Sequence, residues 1–397
     1  MSRYEGRDIS GKSGMPKSRM SKPRMSKSHM PLRGCACGCD NMLSLTAGGL
    51  SRRKFVAGAA GAAALAATGF GSLFGRAGQA FAQTPAEKPY RVDVHHHLSP
   101  PGYIQAVIDN HLGSPPQIKW TPEKSLADMD AAGVQVSMLS VTQPGVNFTS
   151  GDIARKLCRE SNEYAAKLIA DHPGRFGSFA MIPLTDTDGS LKEIEYALDT
   201  LKADGIGLLT SYHDKWLGHP SFLAVMEELN RRKCVVYTHP TTADCCVNLL
   251  KTEPPTLVEW GTDTTRTIGD IVFSGNARKF RDIKWIFSHA GGTMPFLIER
   301  FIGQPKIDPQ FKPAVPDGAL AELTRFYYDT AQTANKASMS ALTAIIPGSQ
   351  ILFGTDFPYR TAIDHVKGLR SCGLFTDAQL KDIERGNAVK LLPRLST

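Results

Sequence analysis

The stretch Arg91-Val-Asp-Val-His-His-His97 decides how this chain is read. It predicts a β-strand, in which side chains two apart share a face, so His95 and His97 point together while His96 points away. Two imidazoles about 7 Å apart, at roughly 3.3 Å rise per residue, can grip one metal ion. A chelate of that kind needs further donors from elsewhere in the chain.

Outward from this stretch, apolar runs of strand length recur at Gln135–Val141, Gly177–Ile182, Gly205–Thr210, Val235–His239, Lys284–His289, Phe326–Thr330 and Ile351–Asp356. Helical patterns separate or follow them at Glu123–Ala132, Ile153–His172, Leu191–Lys202, Pro220–Arg232, Asp263–Phe280, Met294–Phe301, Asn335–Ile345 and Asp377–Leu391. Strand and helix in regular alternation predict an α/β fold, a (β/α)8 TIM barrel over residues 88–397. An open doubly wound sheet is the rival, but no glycine-rich dinucleotide turn follows the first strand.

Barrel chemistry sits where strands end at the C-terminal face, so a real site draws on several strand ends. His95 and His97 close the first predicted strand, His239 the fifth, His289 the sixth and Asp356 the eighth. Singly, each has an ordinary explanation as a loop or turn residue. Together they define one candidate active site.

Net charge and cysteine usage narrow the possibilities. The chain carries +8 with 42% hydrophobic residues, but residues 1–83 hold thirteen Lys/Arg against Glu5, Asp8 and Asp40, a balance of +10. The remainder therefore carries −2, and nucleic-acid binding loses its main support. Cys158, Cys234, Cys245, Cys246 and Cys372 are scattered, unlike a disulfide framework.

Residues 1–50 are basic and repeat every five residues from Met15, a composition expected to be disordered; translation starting later, as at Met42, is an equal reading. Cys35-Ala-Cys-Gly-Cys39 lacks the spacing of a zinc module. Ser51-Arg-Arg-Lys-Phe-Val56, the uncharged Ala57–Phe74 and Ala80-Phe-Ala82 together resemble a twin-arginine signal over residues 51–83. The expected partner is the twin-arginine export machinery and the expected location the periplasm or the exterior. A leader that does not function leaves the protein cytoplasmic.

Asp93-Val-His-His-His97, Met129-Asp-Ala-Ala-Gly133, His172-Pro-Gly-Arg-Phe176, Thr238-His-Pro240, Ser288-His-Ala-Gly-Gly292, Gly354-Thr-Asp-Phe-Pro358 and Gly386-Asn-Ala388 form a set. As a set they resemble the amidohydrolase superfamily, in the branch of aminocarboxymuconate semialdehyde decarboxylase and related non-oxidative aromatic acid decarboxylases. The resemblance implies one divalent ion, zinc or alternatively manganese, held by His95, His97, His239 and Asp356. His289 takes the place of the acid/base histidine. No lysine lies on the predicted fourth strand, which favours a mononuclear site. Arg300, eleven residues after His289, matches an arginine that reaches a neighbouring subunit's site, which implies a homodimer.

The stretch Gln117-Ile-Lys-Trp-Thr-Pro-Glu-Lys124 lacks the arginines of the semialdehyde decarboxylase. Glu259-Trp-Gly-Thr-Asp-Thr-Thr-Arg266, with Tyr212 and Trp216, looks more like the relatives acting on small phenolic acids such as methylsalicylate. Arg266 and Tyr212 are thus candidate substrate-binding residues, for a small-molecule carboxylic acid. The implied activity is metal-dependent decarboxylation by His289, with Asp356 as ligand or proton donor. Metal-dependent hydrolysis of a lactone or amide is the alternative, and a non-catalytic exported metal-binding protein a third.

Overall fold

The computed structural model describes residues 90–396; the basic repeat, the cysteine cluster and the export signal read in residues 1–83 lie outside them. Eight parallel strands form one sheet: β1 Arg91–His97, β2 Val134–Ser140, β3 Phe176–Met181, β4 Gly205–Leu209, β5 Val235–His239, β6 Lys284–Phe287, β7 Tyr327–Asp329 and β8 Ile351–Leu352. Each pairs with the next. The segment after β8 returns to β1 through Val94 N–H to Phe353 O at 2.9 Å and His97 N–H to Phe357 O at 2.9 Å. The sheet therefore curls into the expected barrel, with its chain-order ends brought together.

Asp93 fastens that seam. Its carboxylate, buried in β1, accepts bonds from Thr355 N (3.1 Å), Thr355 Oγ1 (2.6 Å) and His95 N (3.0 Å). A buried carboxylate with several donors is tied firmly to both partners.

Alternation along the strands sorts the core into two layers. In β5, Val235 and Tyr237 pack with Val92, Val94, Val136, Met138, Phe179, Ile286 and Leu352. Val236 joins a larger cluster with Val225, Leu229 and Ile268, which lie on surrounding helices. The first set fills the barrel and the second glues barrel to helices, as a period of two requires. Burying one such aliphatic side chain contributes roughly 1.5–3 kcal/mol.

The helices follow local signals where those are strong. Pro122–Ala132 opens on Thr121, whose hydroxyl accepts from Lys124 N, carries Pro122 in its first turn and stops at left-handed Gly133 (φ 66°). Among the longer helices, Pro101–Asp109 and Ala362–Ser371 go beyond the sequence expectation. The first buries only Tyr103 and Val107, too few apolar positions to show a clear period. The helix expected over Leu191–Lys202 is instead the end of Thr187–Glu195 followed by a π-helical turn, Tyr196–Thr200.

Candidate active site

The barrel mouth gathers four predicted donors. Atoms of His95, His97, His239 and Asp356 able to ligate a metal lie within 4.8 Å of one another, and all four residues are buried. Pairing of β1 with β2 shifts register between Asp93 and His96. That irregularity lets Val94 face the barrel core while His95 and His97 face the mouth beyond it. His96 turns away, bonding Asp93 Oδ2 (3.1 Å) and Ser125 Oγ (2.9 Å) and stacking on Phe357.

Each imidazole at the mouth has its Nδ1 on an oxygen that can only accept. His95 Nδ1–H donates to Asp329 Oδ2 (2.8 Å), His97 Nδ1–H to Ser140 O (3.3 Å) and His239 Nδ1–H to Pro240 O (2.8 Å). The Nε2 atoms are left as lone-pair donors aimed at a common point. His95 Nε2 is 3.2 Å from His97 Nε2, and Asp356 Oδ1 is 3.2 and 3.0 Å from the two. Lone pairs and a carboxylate oxygen repel at such distances unless a positive charge sits among them, so this donor set fits a divalent cation.

Electrostatics point the same way. Burial alone would lower the pKa of His95, but the carboxylates of Asp329 and Asp356 raise it to about 10. Burial lowers His97, and lowers His239 far more, helped there by the neighbouring rings of His97 and His95. Burial would raise Asp356, yet His95 and His97 hold it well below the usual carboxylate range. Without a cation the cluster satisfies Asp356 with a proton on His95 Nε2; a metal ion would displace that proton and free the lone pair as a ligand.

His289 follows β6 rather than closing it; it begins a tight turn in which His289, Ala290, Gly291 and Gly292 all have positive φ. At Gly292 a Cβ would collide with the Gly261 carbonyl oxygen, so only glycine lets this turn press on the helix Glu259–Phe273. Asp329 holds the turn: its Oδ1 accepts from His289 N (2.9 Å) and Ala331 N (3.0 Å). His289 Nδ1–H donates to Ala331 O (2.9 Å), leaving Nε2 as its other nitrogen. Burial lowers its pKa despite Asp356, which favours neutral imidazole.

Asp329 is absent from the sequence-derived site. Its signal was available, since Tyr327-Tyr-Asp329 is a strand end like the others, but without a partner in view an aspartate there looks like a turn residue. Gln332, at φ 55°, donates through Nε2 to Asp356 Oδ2 and was also missed.

Above His289 lies a cavity of about 660 Å³, lined by Trp260, Tyr359, Leu257, Pro254, Gln332 and Arg360 among others. Tyr359 meets Ser114 Oγ through its hydroxyl (3.1 Å) and His97 through its ring (5.9 Å between centroids). The predicted substrate residues stand elsewhere. Tyr212 lies outside that lining: its buried hydroxyl accepts from Leu209 N (3.1 Å), where the hairpin after β4 folds it inward. Arg266 lies on the helix Glu259–Phe273, donating to Cys246 Sγ (3.2 Å) and 3.7 Å from Glu259 Oε2, outside the cavity lining. Arg300 is exposed on the helix Ile298–Ile307, likewise outside it.

Beyond β4 the chain carries Thr210, whose hydroxyl donates to Asp263 Oδ2 (2.5 Å). That position therefore supplies a fastening bond and no donor to the cluster. His213 is exposed and pairs with Asp244 (3.0 Å), while His219 accepts from Ser221 N (3.1 Å). The Cys245 and Cys246 sulfurs are 3.0 Å apart, on the stretch following β5.

A sequence profile of the family described as Amidohydrolase matches residues 92–394. Over 326 residues the chain is 37% identical to Decarboxylase yanB of Aspergillus niger, covering 77% of this chain and 88% of that one. Over 315 residues it is 34% identical to the 6-methylsalicylic acid decarboxylase of Penicillium expansum, covering 77% and 97%. A crystal structure of a dihydroxybenzoic acid decarboxylase from Polaromonas, with bound manganese and 2-nitroresorcinol, superposes with TM-score 0.66 at 19% identity, over 77% of this chain and 98% of that one. The strand-end histidines, the closed parallel barrel and the matched profile agree: this chain belongs to the amidohydrolase family.

Proposed function

We propose that the protein is a metal-dependent, non-oxidative decarboxylase of a small aromatic carboxylic acid. The observation that carries it is the convergence of His95, His97, His239 and Asp356 beneath a cavity that also exposes His289. Similarity to decarboxylases at 34–37% identity supports the reaction class.

His95, His97, His239 and Asp356 would hold one divalent ion, zinc or manganese; three imidazoles and one carboxylate suit either. When bound, that ion supplies positive charge that neutralises the substrate carboxylate and a neighbouring oxygen. Asp329 orients His95 and, through the His289 amide, the acid/base turn. The aromatic ring packs against Trp260 and Tyr359. His289 Nε2, whose lone pair is free because Nδ1–H is held by Ala331 O, takes the proton of the substrate's ring hydroxyl and passes it on: that N–H bond breaks as a C–H bond forms at the ring carbon bearing the carboxylate. The C–C bond then breaks, its electron pair returns to the ring and carbon dioxide leaves. Protonation first avoids an aryl anion. Asp356, held well below the usual carboxylate range, serves as ligand rather than proton donor.

Incubating the metal-loaded protein anaerobically with 6-methylsalicylate tests this. Expected are carbon dioxide and the methylphenol in equal amounts, abolished by a chelator and restored by metal. Acid released from lactones or amides, with no gas from any aryl acid, would overturn it in favour of a hydrolase.

Export through the twin-arginine route and a homodimer belong to the same reading. The dimer is supported by Arg300 and by Phe296, 89% exposed close to it. Light scattering of the purified protein and cell fractionation of the full chain are the direct checks.

A further inference from the structure

The cavity above His289 is lined by neutral groups with one exception. Among the described residues no Asp or Glu lines it, and the single Lys or Arg that does is Arg360. The guanidinium is exposed, and among the described residues no acidic side chain pairs with it. Its backbone is tied to the metal-site loop: Asp356 O accepts from Tyr359 N (2.8 Å) and Arg360 N (3.2 Å). An unpaired arginine four residues beyond a proposed ligand, on the wall of the same cavity, is placed to meet an anion on its way in.

We infer that Arg360 is the specificity residue that draws an aryl carboxylate into this cavity and leaves the decarboxylated product unheld. This rests on the decarboxylase reading for its substrate. The physical reason is a difference of charge across the reaction. The substrate enters as an anion, which the guanidinium on the cavity wall attracts by charge while the carboxylate goes to the ion; the phenol and carbon dioxide that leave are neutral and offer it no charge. One rim cation thus favours substrate over product without a contact at the reacting carbon.

Equilibrium binding to the metal-loaded protein tests this independently of turnover. Titration with benzoate and, separately, with phenol compares wild type, Arg360→Ala and Arg360→Lys. Expected is about a tenfold weaker benzoate affinity in Arg360→Ala, the scale of one solvent-facing charged contact, with phenol affinity within about twofold. Arg360→Lys recovers part of the benzoate affinity, and raising the salt concentration narrows the gap between wild type and Arg360→Ala. With a turnover substrate, the same loss falls on KM and leaves kcat within about twofold. Unchanged benzoate binding, or equal weakening of benzoate and phenol, overturns the inference. If wild type binds benzoate through Arg360 but decarboxylates no aryl acid, the decarboxylase reading fails while the assignment of Arg360 stands.

Discussion

Two buried aspartates at the same end of the barrel do opposite work. Asp263 accepts bonds from Thr210 Oγ1 (2.5 Å), Ser211 Oγ (2.9 Å) and Trp216 Nε1 (2.7 Å), all neutral donors. It clamps the hairpin after β4 to the helix Glu259–Phe273. Asp356 Oδ1 instead lies 3.2 and 3.0 Å from the Nε2 atoms of His95 and His97, and their charge rather than a fixed set of neutral donors satisfies it. Burial raises Asp263, whereas the histidines hold Asp356 far down. A carboxylate whose lone pairs are filled by protein hydrogens is a fastener. One that is satisfied by a proton shared with imidazole nitrogens marks a place that a cation can take over.

The largest effect expected from this contrast is on the ligand side. His239→Ala should reduce bound metal from one per chain to a small fraction and activity by roughly a thousandfold or more, with the fold retained; elemental analysis beside circular dichroism checks both. Full metal occupancy in that variant would break the distinction between the two aspartates.

Asp263→Ala should do the reverse. Three donors lose their partner, so stability to urea should fall by about 2–4 kcal/mol while metal content stays at wild-type level. The pH dependence has a definite sign. Because burial raises the folded-state pKa of Asp263, the folded protein binds that proton more tightly than the unfolded chain does. The group's contribution is therefore greatest in acid and declines as pH rises through the raised value. Removing the carboxylate should flatten that decline, as denaturation at a series of pH values would reveal.

Asp329→Asn sharpens the comparison from a third position. The amide keeps an oxygen for the His289 and Ala331 N–H groups but turns a donating NH2 toward His95 Nδ1–H, which loses its acceptor, and metal affinity should drop by about 10–100-fold. Competition with a chelator of known affinity measures it; unchanged affinity would reduce Asp329 to a turn fastener. The smallest effect belongs to Tyr212→Phe, which removes one acceptor from Leu209 N: about 1 kcal/mol of stability, with kcat and KM unchanged. A raised KM for the aromatic acid would return Tyr212 to the substrate site.

Much of this molecule was legible before any fold was known. A period of two places His95 and His97 together, and apolar runs punctuated by helical patterns locate the eight strands. Strand ends are where a barrel keeps its chemistry, so His239, His289 and Asp356 could be gathered by position alone. The ends of β6 and β8 were drawn too long, because the extended segments that follow bond across the seam or turn sharply instead of pairing as ladder.

The sequence by itself determined which residue types stand at the strand ends, since alternation and chain spacing are local properties that each segment carries alone. Only the tertiary structure decided what those residues face. That Asp329 meets His95 across 234 positions, that Tyr212 turns into the core and that Arg360 stands on the cavity wall follow from closing the sheet and seating its loops. Those outcomes depend on contacts between segments distant in the chain, and no single segment encodes them.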